Sequence, residues 1–192
     1  MKKFSFEDEV ARALVVLKNG GTILYPTDTV WGIGCDATNQ KAVEKVYALK
    51  RRAESKSLII LLDSFDKIGR YVDIVPDVAY DLVSNMDTPL TIIYSKAINL
   101  APNVIASDGT IAIRIVNDEF CKLLISRFGK PIVSSSANIA GDVTPLIFSS
   151  IDEEIVKNTD YVVNHKRDVF NRSKPSTIIR LLENGEFTII RQ

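Results

Sequence analysis

Three polar stretches of this sequence carry side chains that could bind an anionic substrate. The first is the cationic pair Lys50-x-Arg52, which follows a predicted helix. Arg52 could hold phosphate through a planar, bidentate guanidinium, while Lys50 would act as a compact point charge. The second stretch is a serine run that includes Ser134 and Ser136, followed by Asn138. We expect these three side chains to donate hydrogen bonds to phosphate or ribose oxygens.

The third polar stretch, Thr27 to Gly34, combines hydroxyls with Trp31 and two glycines. It follows a short apolar strand predicted for Thr22–Tyr25, which Pro26 ends. Such a composition is typical of a loop whose backbone and side chains approach a ligand closely. Taken one at a time, all three stretches also have ordinary explanations, as helix-terminal cations, turns or exposed loops.

Several common sites are missing from the sequence. It has no Walker A loop, no GxGxxG fingerprint and no HExxH motif, so ATP would have to be held by cations and hydroxyls. Cys35 and Cys121 match no metal spacing, and we expect reduced thiols and no metal centre of the protein's own. Cys35 lies beside the Thr27–Gly34 stretch, but the only histidine, His165, is distant in sequence, so we do not assign it as a nucleophile.

Helices and strands alternate early in the chain, and these elements must position the polar residues. Apolar spacing and capping residues predict helices over 5–18, from Thr38 or Asn39 to 49, over 77–86 and over 118–128, a short helix after Ser64, and a last one starting near Ser150 and Glu153. Strands are predicted at 22–25, 58–62, 90–94, 110–115, 132–133 and 161–163, with a hairpin of 176–182 and 186–191 around Asn184-Gly185. The order predicts an α/β fold with some α+β character, a twisted mixed sheet with helices packed on it. Residues 95–109 are predicted to be irregular and could cover the site.

Length and composition favour one globular domain, 1–192. Apolar residues make up 46% and charged residues 25% of the sequence, and 24 basic residues balance 24 acidic ones. A neutral molecule has no overall attraction to nucleic acid, although Lys41–Lys56 is locally basic and Asp63–Asp87 is locally acidic. The N-terminal residues contain no apolar signal region and no run is long enough to span a bilayer, so we expect a cytoplasmic location and no membrane partner.

Four separated motifs resemble the YrdC/Sua5 family of L-threonylcarbamoyladenylate synthases. They are YPTDTVWGIG at 25–34, Lys50-x-Arg52, SSSAN at 134–138 and PSTII at 175–179. The resemblance covers nearly the whole chain, with the motifs in the right order. The chain is similar to the short, single-domain form of the family. It implies a YrdC-like fold with a concave, locally basic cleft.

The resemblance also implies roles for particular residues. Thr27, Thr29, Arg114 and Ser176 would bind threonine, with Arg114 on the substrate carboxylate. The nucleotide side would be formed by Lys50, Arg52, Thr110, Ser134, Ser136, Asn138, Thr144 and Arg191. Lys50 and Arg52 would also be the catalytic residues.

Enzymes of this kind are nucleotidyltransferases that join L-threonine, bicarbonate or CO2, and ATP into threonylcarbamoyl-AMP and pyrophosphate. The product serves the formation of N6-threonylcarbamoyladenosine in tRNA, so the resemblance implies transfer-enzyme partners and Mg2+ on the ATP phosphates. Catalysis would rest mainly on positioning and charge neutralisation.

Two other functions remain open at this point. One is a non-catalytic module that binds tRNA or double-stranded RNA through the basic stretches Lys41–Lys56 and Lys166–Arg180; the zero net charge and the few interleaved aromatic residues speak against it as the main function. The other is a carbamoyl-adenylating relative that uses an acceptor other than threonine.

Overall fold

The computed structural model describes residues 5–53, 58–170 and 175–192. Parts of both basic stretches, Lys56 and residues 171–174, therefore lie outside the described residues. The helices are α1 (Phe6–Lys18), α2 (Gln40–Leu49), α3 (Val78–Ser84), α4 (Glu119–Phe128) and α5 (Glu153–Asn158). The strands are β1 (Ile23–Tyr25), β2 (Gly32–Gly34), β3 (Ile59–Leu62), β4 (Leu90–Tyr94), β5 (Ile111–Ile115), β6 (Ile132–Ser136), β7 (Tyr161–Val162), β8 (Thr177–Leu181) and β9 (Phe187–Arg191).

The helix termini form where the sequence predicts them, because side chains satisfy the first free backbone N–H groups. Ser5 and Asp8 form a reciprocal capping box at the start of α1. Asn39 caps α2, and Asp118 caps α4. Gly129 ends α4 with φ 74°, a left-handed conformation that glycine adopts without steric cost. None of the helices in the described ranges combines the length and apolar character needed to cross a bilayer.

The strands of the described residues form one mixed sheet in the order β7-β1-β2-β6-β3-β5-β4-β8-β9. Neighbours β3 and β5, and β4 and β8, are parallel, whereas β2 and β6, and β8 and β9, are antiparallel. The prediction of a mixed sheet with helices packed on it is confirmed. The predicted hairpin around Asn184-Gly185 is confirmed as β8–β9.

Both faces of the sheet are buried, as β3 illustrates. Leu61 packs into a core with residues of α1 and α4, whereas Ile60 and Leu62 point into a second core that includes residues of α2 and the α3 region. Successive side chains of a strand point to opposite faces, so one apolar strand supplies both cores. The helices thereby cover the middle of the sheet, and polar side chains remain where the strands end.

Two local predictions are wrong in detail. Gly32–Gly34, predicted as part of a loop, is strand β2, paired with both β1 and β6. A Cβ on Gly34 would lie 2.6 Å from the Val133 carbonyl oxygen, so glycine is required by close packing between strands rather than by a flexible loop. The serine run continues strand β6 instead of following it.

A further correction concerns one helix start. Asp152, not Ser150, caps α5, and Ser150 belongs to a 3-10 turn at Phe148–Ser150. The short helix predicted after Ser64 is present as a 3-10 helix, Phe65–Arg70. Several residues near each start could serve as caps, so the sequence signal locates a helix start only to within a few positions.

Candidate active site

A cleft of about 560 Å3 opens on the face of the sheet where β5, β6, β8 and β9 present polar side chains. This volume lies within the range of roughly 300–1,000 Å3 usual for small-molecule sites. Of the twelve side chains predicted to bind substrates, ten line this cleft: Thr27, Thr29, Arg52, Thr110, Arg114, Ser134, Ser136, Thr144, Ser176 and Arg191. Residues up to 164 positions apart in sequence therefore meet at one place, from Thr27 to Arg191.

A directed chain of hydrogen bonds holds one end of the cleft. Thr27 donates its hydroxyl proton to the Val30 carbonyl at 2.8 Å, so in the 3.0 Å bond between Thr27 and Thr29 it is Thr29 that donates. Thr29 in turn accepts from Arg114 Nη1 at 2.8 Å. Asp28 lies 3.3 Å from Arg114 Nη2 and balances its charge. Both hydroxyl protons are thus committed, and the arginine is held rigidly.

Arg114 also carries an unused donor. Its side chain is about 95% buried, and its Nε atom has no hydrogen-bond partner among the described residues. A buried donor without a partner loses free energy, so such groups usually have an unseen partner such as a ligand or water. The Nε atom itself is buried, but Arg114 as a residue lines the cleft, so its guanidinium group is a candidate partner for an acceptor such as a carboxylate.

Ser176 is fixed near Arg114, because its bonding partner Thr91 lies opposite Arg114 in the register of β4 and β5. Its hydroxyl shares a buried 2.7 Å hydrogen bond with the hydroxyl of Thr91. Its carbonyl oxygen accepts from Arg191 Nη2 at 2.8 Å, so the end of β9 is tied to the start of β8. Arg191 and Ser176 therefore present a preorganised polar surface to whatever occupies the cleft.

The described lining is strongly cationic. It contains Arg52, Arg114, Arg180 and Arg191, and the only acidic side chain in that lining is Asp108. Burial lowers the pKa of the Arg52 and Arg191 guanidinium groups, and the neighbouring charge of Arg114 lowers that of Arg191 further. Arginine nevertheless stays protonated in proteins, so the lowered pKa values record repulsion and lost hydration that a bound anion would relieve.

Asp108 and Arg180 are site residues that the sequence interpretation missed. Arg180 Nη2 donates to Asp108 Oδ2 at 2.8 Å, and the Thr110 hydroxyl donates to Asp108 Oδ1 at 2.7 Å. This contact joins the irregular 95–109 segment to β8 at the rim of the cleft. The alternation of side chains along a strand could have identified Arg180. It lies two positions after Ile178 and four after Ser176, so all three face the same side, and all three line the cleft.

Two predicted residues, Lys50 and Asn138, do not line the cleft. The Lys50 side chain is almost fully buried and donates from Nζ to the carbonyl oxygens of Ser136 and, at 2.7 Å, of Asn138. Asn138 donates from Nδ2 to the carbonyls of Ile139 and Asp142. Both side chains hold the segment that follows β6, and their predicted binding of the nucleotide stays a prediction. Burial, and secondarily the charge of Arg52, lowers the pKa of the Lys50 ammonium to about 8.

Cys35 shows no sign of nucleophilic activation. Its side chain is completely buried, and burial raises the pKa of the thiol above its ordinary value, with a smaller contribution from the nearby Asp36. A thiol in this state is neutral at physiological pH and unreactive.

Much of the basic surface considered for RNA is engaged in ion pairs. Arg51 binds both carboxylate oxygens of Glu154, and Lys45 lies 3.7 Å from Asp160. Lys166 lies 2.6 Å from Asp118, and Arg180 is paired with Asp108. These described cations face carboxylates of the same chain, so the structure adds no observation in favour of a phosphate-backbone surface.

The chain is similar in sequence to proteins of one family. The sequence model of the Sua5/YciO/YrdC family, described as "Telomere recombination", matches residues 15–192. Threonylcarbamoyl-AMP synthase of Pseudoalteromonas translucida is 35% identical over 177 residues, which cover 91% of this chain and 94% of that protein. A protein of Methanocaldococcus jannaschii is 36% identical over 191 residues, or 97% of this chain and 88% of its own.

The structure of Pyrococcus abyssi Sua5 complexed with L-threonine superimposes with a TM-score of 0.85 at 23% identity. The match covers 99% of this chain and 55% of the Sua5 chain, so this chain spans about half of that longer protein. At this identity the likeness establishes the fold, and the predicted YrdC-like fold is confirmed. The synthase activity expected from the sequence is the one for which the P. translucida relative is named.

Proposed function

The chain belongs to the Sua5/YciO/YrdC family, and from this membership we propose that it synthesises L-threonylcarbamoyl-AMP from L-threonine, bicarbonate or CO2, and ATP, with release of pyrophosphate. The observation that carries the proposal is the single cleft in which a rigid arginine–hydroxyl site adjoins a larger cationic surface. An amino acid and a nucleoside triphosphate must bind at neighbouring sites of this kind if they are to react with each other. We further propose that residues 1–192 act as one domain, since the walls of the cleft come from distant parts of the chain.

Threonine occupies the end of the cleft at Arg114. Arg114 lines the cleft, and Thr29 and Asp28 fix its Nη1 and Nη2 groups, so its guanidinium is a preorganised receptor for the substrate carboxylate. Thr29 and Ser176 offer oxygen atoms that can receive a hydrogen bond from the substrate, while Thr27, whose hydroxyl oxygen already accepts from the Thr29 N–H and hydroxyl, holds Thr29 in place. This placement leaves the amino group of the substrate directed to the rest of the cleft, where it takes up CO2 as a carbamate.

ATP occupies the remaining cationic part. Arg52, Arg191 and, at the rim, Arg180 neutralise its phosphates, while Ser134, Ser136, Thr110 and Thr144 supply hydroxyls. A carbamate oxygen attacks the α-phosphorus, the bond from the α-phosphorus to the bridging oxygen of the β-phosphate breaks, and pyrophosphate leaves with that electron pair. Negative charge moves onto the leaving group in this step, so fixed guanidinium groups stabilise the transition state more than the ground state. Lys50 and Asn138 act behind these groups by holding the segment after β6.

Mg2+ enters with the ATP phosphates. The described residues contain no group of three His, Cys, Asp or Glu side chains that could hold a metal ion on their own. The ion is therefore part of the nucleotide substrate in this proposal, bound mainly by phosphate oxygens and water.

The product is a mixed anhydride of a carbamate and a phosphate, which water destroys, so a partner enzyme must transfer its threonylcarbamoyl group promptly. We propose that the acceptor is the adenosine of tRNA that becomes N6-threonylcarbamoyladenosine, and that the protein acts in the cytoplasm, where this modification would be made. A transfer enzyme, rather than this chain, would bind the tRNA.

Pyrophosphate release by the purified protein tests the proposal. ATP is supplied with L-threonine and bicarbonate, singly and together, and with L-serine as the control amino acid. We expect release only when both co-substrates are present, and Arg114→Lys to raise the KM for threonine at least tenfold, because lysine keeps the charge but loses the fork. Arg127→Lys, on the exposed surface of α4, is the matched control and should leave both constants unchanged.

Other outcomes would redirect the proposal. Release that is equal with serine would favour a carbamoyl-adenylating enzyme with another acceptor. No release, together with salt-sensitive binding of tRNA, would favour the RNA-binding function, since contacts to phosphates weaken steeply as salt rises.

A further inference from the structure

A second concavity, of about 590 Å3, lies on the opposite side of the β8–β9 hairpin from the cleft. Alternation along β8 separates the two, because Ile178 and Arg180 line the cleft whereas Thr177 and Ile179 line this groove. Its other walls include Leu82 and Met86 of the α3 region and Phe187 and Ile189 of β9, which are largely apolar. We call this concavity the back groove.

The back groove leaves large apolar side chains open to water. Phe187 is 49% exposed, Ile189 51% and Met86 40%. Isolated exposed apolar residues are ordinary, but a cluster that lines one concavity is typical of a protein-binding surface. The proposed synthesis of threonylcarbamoyl-AMP makes no use of this surface.

The outer edge of β9 adds unused backbone groups to the same place. The Leu182 N–H donates to the Glu186 carbonyl at 2.8 Å, which makes this pair a hydrogen-bonded one. Hydrogen-bonded and non-bonded pairs alternate between antiparallel strands, so the N–H and C=O groups of Phe187 and Ile189 point away from β8. No other strand of the described residues pairs with that edge. Strand β9 contains no proline, and both its charged residue, Arg191, and its register shift lie at its C-terminal end, so Phe187–Ile189 carry none of these features that usually protect an edge strand.

Two exposed carboxylates lie next to lining residues of the back groove in sequence. Asp81 precedes Leu82, and Asp87 follows Met86. Both are exposed and make no ion pair with a described residue. They account for part of the acidic bias of Asp63–Asp87 that the sequence shows and that the active site does not explain. Their charge favours a basic partner and disfavours RNA or an anionic lipid surface.

From these observations we propose that the back groove binds an extended segment of another protein, with alternating apolar side chains and flanking Lys or Arg residues. The segment adds as a strand to the outer edge of β9. Its backbone pairs with Phe187 and Ile189, its apolar side chains enter the groove, and its basic residues meet Asp81 and Asp87. A second copy of this chain fits less well, because a symmetric pair would bring two acidic rims together. The docking surface is independent of the proposed synthase activity.

Amide NMR spectra of the full chain test this proposal through titration with a synthetic peptide probe. The probe is a ten-residue peptide of alternating valine and threonine with two lysines at each end. We expect shifts at the amides of Phe187 and Ile189 and at residues of α3, and weaker binding at high salt. Two control peptides carry glutamate in place of lysine, or N-methyl groups on alternate backbone amides, and neither should bind, since they lose the charge match and the strand pairing respectively.

Protein variants complete the test. Ile189→Lys and Asp87→Lys should each weaken binding at least about tenfold, because each places a like charge against the basic probe. Val15→Lys changes an apolar residue on α1 that is 57% exposed, so it is the matched control and should bind as the wild type does. Asp87 is fully on the surface, so its variant remains informative even if Ile189→Lys folds poorly. Equal binding of the N-methylated peptide, shifts confined to another surface, or no shifts at all would overturn the proposal, as would a dimer in sedimentation that Ile189→Lys dissociates.

Discussion

Replacing Lys50 by methionine tests whether this buried ammonium positions the active site. Lys50 Nζ is bonded to the carbonyl oxygens of Ser136 and Asn138, and Ser136 lines the cleft. Methionine has a similar length but offers no donor. We expect the segment after β6 to lose its fixed position, and kcat for pyrophosphate release to fall at least tenfold, since misplacing a reacting group by about 1 Å can cost a hundredfold in rate.

The effect of Lys50→Met on the free energy of unfolding is partly cancelled, because two contributions oppose each other. A pKa lowered from 10.5 to about 8 corresponds to roughly 3 kcal/mol of unfavourable burial at neutral pH, which the substitution removes. Two carbonyls lose their donor, at about 1–3 kcal/mol each if they stay dry. The free energy of unfolding at pH 7 should therefore lie between about 1 kcal/mol above and about 3 kcal/mol below that of the wild type.

The pH dependence of stability separates these contributions. Lys50 has a lower pKa in the folded than in the unfolded protein, so between about pH 8 and 10.5 the unfolded state binds more protons. The stability of the wild type should consequently rise with pH in that window relative to Lys50→Met, by up to roughly 3 kcal/mol, and the penalty is fully present below pH 8. Other groups, such as Tyr161, titrate alike in both proteins and cancel in the difference.

Urea unfolding at several pH values from 7 to 10.5 measures this difference, and pyrophosphate release measures the effect on activity. Lys41→Met, on the exposed side of the same helix, is the matched control and should change neither quantity. A stability difference between wild type and Lys50→Met that stays constant with pH would show that Lys50 is not desolvated. Unchanged kcat and KM for ATP would show that it does not position the site.

Two further substitutions test the packing and the rim of the site. Gly34→Ala should destabilise the protein by about 1–3 kcal/mol in urea unfolding, because its Cβ would lie 2.6 Å from the Val133 carbonyl oxygen. Gly69→Ala is the control and should be close to neutral, since its Cβ would meet no atom within 4 Å. Equal effects of the two substitutions would contradict the close packing of β2. Arg180→Ala should alter the free energy of unfolding by less than about 1 kcal/mol, since the ion pair of Arg180 with Asp108 is about half exposed. The same substitution should raise the KM for ATP in the pyrophosphate assay. An unchanged KM would show that Arg180 is not part of the nucleotide site.

Much of the local structure was predictable because its causes lie within a few residues. The Ser5–Asp8 capping box, the caps Asn39 and Asp118, and Asn184-Gly185 in the final turn each act on backbone groups nearby in the chain. Apolar periodicity then located most helices and strands. Motif resemblance supplied the family, and ten of the twelve predicted binding residues line one cleft.

The remaining features depend on contacts between distant segments. Gly32–Gly34 has only one strand-favouring side chain, Ile33, between two glycines, and it becomes a strand because β1 and β6 pair with its two edges. The direction of a long side chain is similarly undecided in sequence, and in this structure Lys50 donates to the carbonyls after β6. A side chain with several rotatable bonds takes the direction in which tertiary packing offers it partners.

The sequence by itself thus determined the elements, the chemical types of the site residues and the family. The tertiary structure decided which of those residues share the cleft, that Asp108 and Arg180 join them at the rim, and that an apolar groove with an acidic rim lies behind β8 and β9. Local signals act over about one helical turn or one strand neighbour, whereas a site is built from segments whose proximity is fixed by the order of strands in the sheet.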